Sequence, residues 1–212
     1  MIRAEDPHHE AVIAVAMRLI AAFGYDGTSL QQIAEASGHD VAWMQERFGD
    51  KRGLYLAVIK HAYEVERAAM EDARGAVAAA GPREVARHMH GLVDRYLDFC
   101  MANPQIPSLW MHRWLGDAAD IPDLEETYAI PLLNRTRDVL RSAARAGLMD
   151  DRVDMDLMVQ TLVWSTYGFL HGEALGHADH SPSGDSRTRQ RFRAHLHQLV
   201  DRMLKLPGIP SA

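Results

Sequence analysis

The sequence has a single cysteine, few aromatic residues and no apolar run long enough to cross a membrane. Cys100 is the only cysteine among 212 residues, so no disulfide can form within the chain, which suits a reducing compartment. Residues 157–172 are apolar but shorter than the roughly 20 residues that a membrane-spanning helix needs. Residues 11–24 are interrupted by Arg18 and lack a signal-peptide cleavage site. We therefore expect a cytoplasmic protein with no membrane partner.

An excess of basic charge is also missing. The chain has 23 lysine and arginine residues against 29 aspartate and glutamate residues, a formal net charge of −6. A protein that coats nucleic acid regardless of sequence needs a basic surface, so that class is disfavoured, whereas a local DNA-contacting patch is not excluded. Apolar residues make up 47 % of the chain, so a sizeable core can form.

Motifs of the common enzyme classes and of metal sites are absent as well. The sequence has no Gly-x-Ser-x-Gly elbow, no phosphate-binding Gly-Lys loop and no His-Glu-x-x-His pair. His171, His177 and His180 lie close together in sequence, but spacing supplies no Cys or acidic partner for a metal. We therefore predict no enzyme, no metal and no cofactor. The remaining enzymatic alternative is an all-helical protein whose titratable groups converge in a cavity.

Helical periodicity dominates what is present, and signals for strands are nearly absent. The sequence predicts an all-α fold of about nine helices. The first has an apolar stripe of Val12, Ile13, Ala16, Met17, Ile20 and Phe23. A long fourth helix is expected from its cap, Asp50, to Ala80. Later helices are expected at roughly 83–102, 104–117, 122–147, 154–176 and 185–206. Pro131 should kink or split the seventh.

Residues 28–51 have the pattern of two short helices joined by a tight turn. Thr28 is expected to cap the first helix, with Gln31 as its capping-box partner. Gly38 should end that helix, and Asp40 should cap the second. Two short helices joined by a turn with glycine form the helix-turn-helix that places its second helix in the major groove of DNA.

The segment from Phe23 to Leu54 closely resembles the N-terminal domain of TetR-family transcriptional regulators. The resemblance rests on a fixed order of residues: Phe23, Gly24-Tyr25, Thr28-Ser29, Ile33-Ala34, Ala36, Gly38, Phe48, Lys51 and Leu54. It covers about the first quarter of the chain. Beyond it, only the length and the all-helical pattern resemble the ligand-binding body of that family.

This resemblance implies an N-terminal three-helix DNA-binding head, residues 1–50 with the helix-turn-helix at 29–48, and a larger helical ligand-binding and dimerisation body, residues 51–212. It implies a homodimer whose heads each read half of a pseudo-palindromic operator in double-stranded DNA. A small-molecule effector in the body would change the spacing of the heads. The implied function is that of a ligand-responsive, DNA-binding transcriptional regulator, expected to be a repressor.

The resemblance also assigns DNA contacts. In the family, the positions that match Thr28 and Lys51 hold phosphates, and the helix that matches 40–47 faces base edges. The predicted DNA-binding residues are Thr28, Ser29, His39, Val41, Ala42, Trp43, Gln45, Arg47 and Lys51. Two interpretations of Trp43 stay open, since its indole either lies on the reading face or packs back on the first helix.

Several positions depart from the family pattern. Gln45 stands where the family usually has an aromatic residue, and Asp40 and Glu46 bring acid towards the phosphates. Residues 1–60 hold six basic and eight acidic residues. A second function therefore stays open: a TetR-fold small-molecule sensor or protein-binding module whose degenerate head does not bind DNA.

Aromatic and methionine residues concentrate in the body at 96–114, 124–133 and 155–171. Such residues suit an adaptable apolar cavity, although each one alone is more typical of ordinary core. The expected effector is an unidentified small apolar or amphipathic molecule. The predicted pocket residues are Phe99, Trp110, Met111, Trp114, Tyr128, Trp164, Tyr167 and His171.

Two C-terminal helices are candidates for the dimer interface. The helix at 154–176 is apolar almost all round and so must be buried on two sides, and the last helix has a clean apolar stripe. Two such helices from each subunit would form a symmetric four-helix interface. The predicted interface residues are Leu162, Phe169, Phe192, Leu196, Leu199, Val200 and Met203.

Overall fold

The computed structural model describes residues 7–172 and 186–206, and within those ranges it contains helices and no strand. In these described residues nine α-helices run in chain order: α1 (Pro7–Phe23), α2 (Leu30–Ser37), α3 (Val41–Phe48), α4 (Lys51–Ala78), α5 (Val85–Ala102), α6 (Gln105–Trp114), α7 (Ile130–Arg145), α8 (Met155–His171) and α9 (Ser186–Leu204). The predicted all-α class is confirmed. None of these helices, over the residues described, is long and apolar enough to cross a bilayer.

The expected helix at 122–147 is interrupted. A π-helical segment, Glu125–Ala129, precedes α7, and Pro131 is the second residue of α7. Proline has no N–H to donate one turn back, and irregular turns concentrate where the helical ladder is broken in this way. The expected end of the eighth helix at 173–176, together with His177 and His180, lies outside the described residues.

Contacts divide the chain into two compact units. Unit 1 comprises Met1–Val65 and Asn103–Ala129, and unit 2 comprises Glu66–Ala102 and Ile130–Ala212. Helix α4 begins in unit 1 and ends in unit 2. The boundary between residues 50 and 51 stays a prediction, because these units follow contacts rather than roles.

Unit 1 is built around α1, which packs against α2 and α6, while α2 packs against α3. The apolar stripe of α1 is buried as expected from Val12 to Ile20. Phe23 is the exception, with 65 % of its surface exposed. It is the last residue of α1, and Gly24 (φ +77°) then turns the chain away, so no element covers the Phe23 ring.

The cap of α2 lies one residue later than predicted. Ser29 Oγ accepts the N–H of Gln32 at 3.1 Å, and Gln32 Oε1 accepts the N–H of Ser29 at 2.7 Å. The capping box is therefore Ser29 with Gln32, not Thr28 with Gln31. Thr28 instead donates its hydroxyl to the Gly24 carbonyl at 2.7 Å, and so closes the turn that follows α1.

The two predicted aspartate caps are confirmed. Asp40 accepts the N–H of Trp43 at 2.7 Å at the start of α3. Asp50 accepts the N–H of Gly53 at 2.7 Å at the start of α4. Each carboxylate satisfies a backbone donor that the first helical turn leaves without a partner.

Unit 2 packs α5 against α8 and α9, and α7 against α8. Polar pairs supplement the apolar contacts between α5 and α9. His90 Nε2 lies 2.6 Å from Asp201 Oδ1, and His197 Nε2 lies 2.7 Å from Asp94 Oδ1. The two imidazole rings stack with 4.1 Å between their centres. No three His, Cys, Asp or Glu residues in the described part of the chain are grouped to hold a metal ion.

Candidate functional site

The outer face of α3 is the candidate surface for base reading. Ala42, Gln45, Glu46 and Arg47 are exposed, whereas Met44 is completely buried. Burial of Met44 fixes the rotation of this short helix, because successive side chains of a helix point about 100° apart. The sequence prediction that α3 presents Ala42, Gln45 and Arg47 to solvent therefore agrees with the structure.

Trp43 matches neither of its two interpretations fully. Its ring is half-buried and lies 4.2 Å from the His39 ring, centre to centre, and 6.5 Å from the Phe48 ring. The Arg47 guanidinium lies 5.4 Å from the centre of the indole, within the range of a cation–π contact. On the α1 side, it is His9 that stacks on Phe48, at 4.7 Å. Trp43 thus joins the two ends of α3 and supports Arg47.

Two of the three acidic residues at 39–52 act as helix caps, so they should repel DNA phosphates less than their number suggests. Residues 39–52 contain three acids and three bases. Asp40 and Asp50 direct their carboxylates at the first turns of α3 and α4, where the helix dipole places partial positive charge. Glu46 remains as the one acid of this stretch on the outer face of α3. Arg47 and Arg52 are exposed on the same stretch.

A surface hollow lies between the start of α2, the outer face of α3 and the start of α4. We call it the phosphate hollow; Ser29, Gln45 and Lys51 contribute to its lining. The Lys51 ammonium lies 4.2 Å from the centre of the Tyr25 ring, which holds the charge at this position. Two helix N-termini and a lysine converge here and favour an anion, whereas Asp26 and Asp50, which also line the hollow, oppose it.

Thr28 was predicted to hold a phosphate, but its side chain is turned inward in the structure. Only 3 % of its surface is exposed, and its hydroxyl already donates to the Gly24 carbonyl. Its role in the structure is to close the turn below the phosphate hollow. Ser29, which is exposed, keeps a hydroxyl hydrogen that the capping box does not use.

Asp117, which follows α6, holds the turn that leads into the helix-turn-helix. Its carboxylate accepts the N–H of Tyr25 at 2.6 Å and the N–H of Asp26 at 2.9 Å. Arg113 steadies the Asp117 loop by donating to the carbonyl of Asp117 and, bidentately, to Glu125 at 2.9 Å. The hydrogen bonding between Arg113 and Glu125 raises the pKa of Arg113 and lowers the pKa of Glu125. Sequence reasoning missed Asp117 because about 90 residues separate it from the turn.

Replacing Asp117 by asparagine should lower the free energy of unfolding by about 1–2 kcal/mol. Asparagine retains one acceptor oxygen, but its amide nitrogen would face the second backbone N–H. Urea denaturation followed by circular dichroism measures the change. Asp120→Asn, an exposed aspartate of the same loop, is the control. Equal midpoints for the two variants would refute the role assigned to Asp117.

A second candidate site is a cavity of about 60 Å³ inside unit 2. Its walls come from α4, α5, α7, α8 and α9, and most of its lining side chains are leucine, valine and methionine. Five of the lining side chains are polar: Glu66, Arg74, Tyr96, Thr136 and Thr166. A largely apolar cavity with a few polar groups is the usual form of a small-molecule site.

Glu66 is the unusual residue of this cavity. Its surface is 9 % exposed, and burial raises the pKa of its carboxyl to about 7, although Arg74 acts in the opposite direction. The spacing Ala62, Glu66, Met70 continues the buried stripe of α4, so a signal for a buried glutamate was present in the sequence. Sequence reasoning missed it because glutamates on long helices are usually solvated.

The predicted pocket residues do not line this cavity. Half of them lie in unit 1: Trp110, Met111, Trp114 and Tyr128. The other half lie in unit 2: Phe99, Trp164, Tyr167 and His171. Trp164 and His171 are exposed, and Phe99 and Tyr167 are buried behind the lining. The cavity wall consists mostly of aliphatic side chains, with Tyr96 as an aromatic member that the prediction did not include.

The predicted dimer interface is contradicted at Leu196 and Val200, which are buried in the core of a single chain. Leu162 lines the cavity, and Phe169 stacks on Phe192 within unit 2 at 4.0 Å. The apolar stripe of α9 packs into the core of its own subunit. Leu199 is half-buried, whereas Met203 is 38 % exposed and remains available.

Apolar side chains that the prediction omitted are exposed on α8. Leu157 is 58 % exposed and Trp164 is 50 % exposed. They are seven residues apart, which is two helical turns, so both side chains lie on one face of α8. Large exposed apolar side chains grouped on one face are typical of an interaction surface.

Comparisons with known proteins agree with this geometry. The family model of bacterial regulatory proteins, tetR family, matches residues 12–58, which comprise the apolar stripe of α1, α2, α3 and the start of α4. No curated protein matches the sequence.

Solved structures share the fold of the whole chain. The fatty acid degradation regulator FadR from Bacillus halodurans is 16 % identical, with 99 % of this chain and 100 % of that chain covered and a TM-score of 0.71. The ketosteroid transcriptional regulator KstR2 of Mycobacterium tuberculosis is 16 % identical, with coverage of 95 % and 97 % and a TM-score of 0.68. The TetR-family regulator PfmR from Thermus thermophilus is 21 % identical, with coverage of 90 % and 97 % and a TM-score of 0.64.

The matched family is one of bacterial regulatory proteins. The helix-turn-helix, the exposed face of α3 and the phosphate hollow are the parts of the chain that the family model covers. Residues 12–58 therefore match the tetR family of bacterial regulatory proteins, and the chain has the fold of solved transcriptional regulators.

Proposed function

We propose that the protein is a ligand-responsive transcriptional repressor that binds a pseudo-palindromic operator as a homodimer. The observation that carries the proposal is the course of α4. This helix begins at Lys51, beside the phosphate hollow, and continues to Glu66 and Arg74 at the cavity. An effector in the cavity therefore acts on the helix whose first turn contributes to the DNA-binding surface.

The exposed residues of α3 support operator recognition. Gln45 can pair with an adenine edge, Arg47 can reach a guanine or a phosphate, and the Ala42 methyl can contact a thymine methyl. Ser29 and Lys51 at the phosphate hollow would fix the helix in its groove. Asp40 and Asp50 act as helix caps. Of the acidic residues at 39–52, Glu46 is therefore the one that would lie close to the DNA bases.

The cavity supports a small apolar or amphipathic effector. Aliphatic side chains from α5, α7, α8 and α9 form most of its wall. Two regulators with this fold, FadR and KstR2, are named for fatty acid degradation and ketosteroids, both of which involve apolar metabolites. The effector would shift the equilibrium between DNA-binding and released states, for which couplings of about 1–3 kcal/mol are typical.

The exposed apolar face of α8 supports the homodimer. Leu157 and Trp164 on that face, with Met203 of α9, would be covered by the same residues of a second copy in a two-fold interface. Such a dimer would present its two α3 helices to successive major grooves, about 34–36 Å apart. A repressor of this kind works where the chromosome is, so we propose a cytoplasmic location and no membrane partner.

Salt-titrated binding to the DNA upstream of its own gene tests the DNA part of this proposal. Fluorescence anisotropy with labelled duplexes should give sequence-specific retention that weakens as salt rises. Lys51→Gln should weaken binding to all duplexes and reduce the salt slope by about one for each subunit. Lys60→Gln, an exposed lysine of the same helix paired with Glu64, is the matched control and should leave both unchanged.

One observation favours a second candidate, a sensor or protein-binding module that does not bind DNA. Glu46 is exposed on the reading face, and residues 1–60 carry two more acids than bases. The same titration separates the two functions. A complete lack of sequence-specific retention at low salt would favour the second candidate.

A further inference from the structure

The cavity of unit 2 contains a buried carboxyl group. Glu66 lines the cavity at the start of the unit 2 part of α4, and 9 % of its surface is exposed. An ionised carboxylate in such a place is costly unless a cation or several donors accompany it. The lining therefore combines this carboxyl group and the Arg74 guanidinium with a largely aliphatic wall.

The groups that face Glu66 include one cation, Arg74. They are Arg74 on the same helix, Tyr96 and Cys100 on α5, and Tyr167 on α8. Burial raises the pKa of both tyrosines and of the Cys100 thiol far above neutrality, so these three groups are uncharged. The Tyr96 and Tyr167 hydroxyls bond to each other.

Arg74 acts on Glu66 electrostatically, but its hydrogen bonds go to other partners. Its side chain reaches back along α4 towards Arg67. Its guanidinium donates to the Arg67 carbonyl at 3.0 Å and to Glu71 at 3.1 Å. An anionic ligand would compete with Glu71 for this guanidinium and would meet the Glu66 carboxylate inside the same cavity.

We propose that the cavity takes an amphiphile with a protonated amine, whose ammonium group pairs with Glu66 and whose apolar part lies against the aliphatic wall. This inference rests on the proposed effector response and specifies the chemical class of the effector. The ammonium supplies a positive charge and hydrogen-bond donors to the carboxylate. A neutral alcohol supplies one donor and no charge, and a carboxylate supplies repulsion.

The size of the cavity limits the ligand. Its volume of about 60 Å³ holds roughly four to six water molecules, at about 10–15 Å³ each. A short alkylamine is therefore a suitable probe. Larger amines would need the wall to move, which Met70 and Met89 permit because methionine changes rotamer readily.

Calorimetry with hexylamine, 1-hexanol and hexanoate, which share one chain length, tests the class on the full-length protein. At pH 8 hexylamine should bind about tenfold or more tightly than either of the others. Its affinity should fall about tenfold from pH 8 to pH 6, because Glu66 takes up a proton over this range while the amine stays protonated. The affinity for 1-hexanol should not fall in this way.

Two variants provide the controls. Glu66→Gln should remove both the preference for the amine and its pH dependence. Glu64→Gln, an exposed glutamate on the same helix, should leave both unchanged. Circular dichroism checks that both variants are folded. The pH dependence in the unmodified protein tests the inference even where a variant unfolds.

Three outcomes would overturn the inference, and they differ in what else they affect. If hexanoate bound most tightly, or if the preference for the amine survived Glu66→Gln, the amine proposal would be wrong. The cavity would then be a site for another chemical class of ligand. Binding by none of the probes would also overturn the effector part of the proposed function. The DNA part is judged separately by the salt titration.

Discussion

The free energy of unfolding of the unmodified protein should fall by roughly 2–3 kcal/mol more than that of the Glu66→Gln variant between pH 5 and pH 8. Burial raises the pKa of Glu66 from 4.5 to about 7 in the folded chain. Between these values the folded state holds a proton that the unfolded state has released. The stabilisation is complete below pH 4.5 and is lost as pH rises through 7.

Urea denaturation at pH 5, 6, 7 and 8 measures this difference directly. Glutamine cannot titrate, so the variant shows only the pH dependence of the other groups. Glu64→Gln, whose side chain is 52 % exposed, should follow the unmodified protein at every pH. Parallel curves for the unmodified protein and Glu66→Gln would mean that Glu66 is solvated, and the cavity would then lose its polar anchor.

Trp164→Ala should raise the dissociation constant of the proposed dimer by about 30-fold or more, which corresponds to at least 2 kcal/mol. Exposed tryptophans on an apolar helix face are the commonest centres of binding energy at interfaces. Trp164 is 50 % exposed, and Leu157 lies two turns earlier on the same face of α8. Covering both side chains with a second copy would remove a large apolar area from water.

Sedimentation over a range of protein concentrations measures the shift from dimer to monomer. Trp114→Ala is the matched control, because Trp114 is exposed to a similar extent, 47 %, but belongs to unit 1. A dimer equally weakened by both substitutions, or unaffected by Trp164→Ala, would show that α8 is not the interface. The loss of the dimer should also weaken operator binding, since each half-site would be bound independently.

The caps and the helix-turn-helix were predictable from sequence because their interactions span few residues. Asp40 and Asp50 each bond a backbone N–H three residues later, and Gly38 ends α2 at φ +73°. The one local error, at Thr28, has a physical cause. Thr28 and Ser29 are both good caps, and only the close approach of the Gly24 carbonyl decides that Thr28 turns inward.

The sequence by itself therefore determined the helices, their order and the likeness of the first quarter of the chain to tetR-family regulators, because helical period, caps and turns are local properties. Only the tertiary structure decided which residues serve as site, core or surface. It brought the Asp117 carboxylate to Tyr25 across 92 residues and left Glu66 in a cavity away from water. It also placed Leu196 of α9 in the core of one chain and left Trp164 of α8 exposed. The core of the subunit covers the apolar stripe of α9 but only one of the two apolar faces of α8.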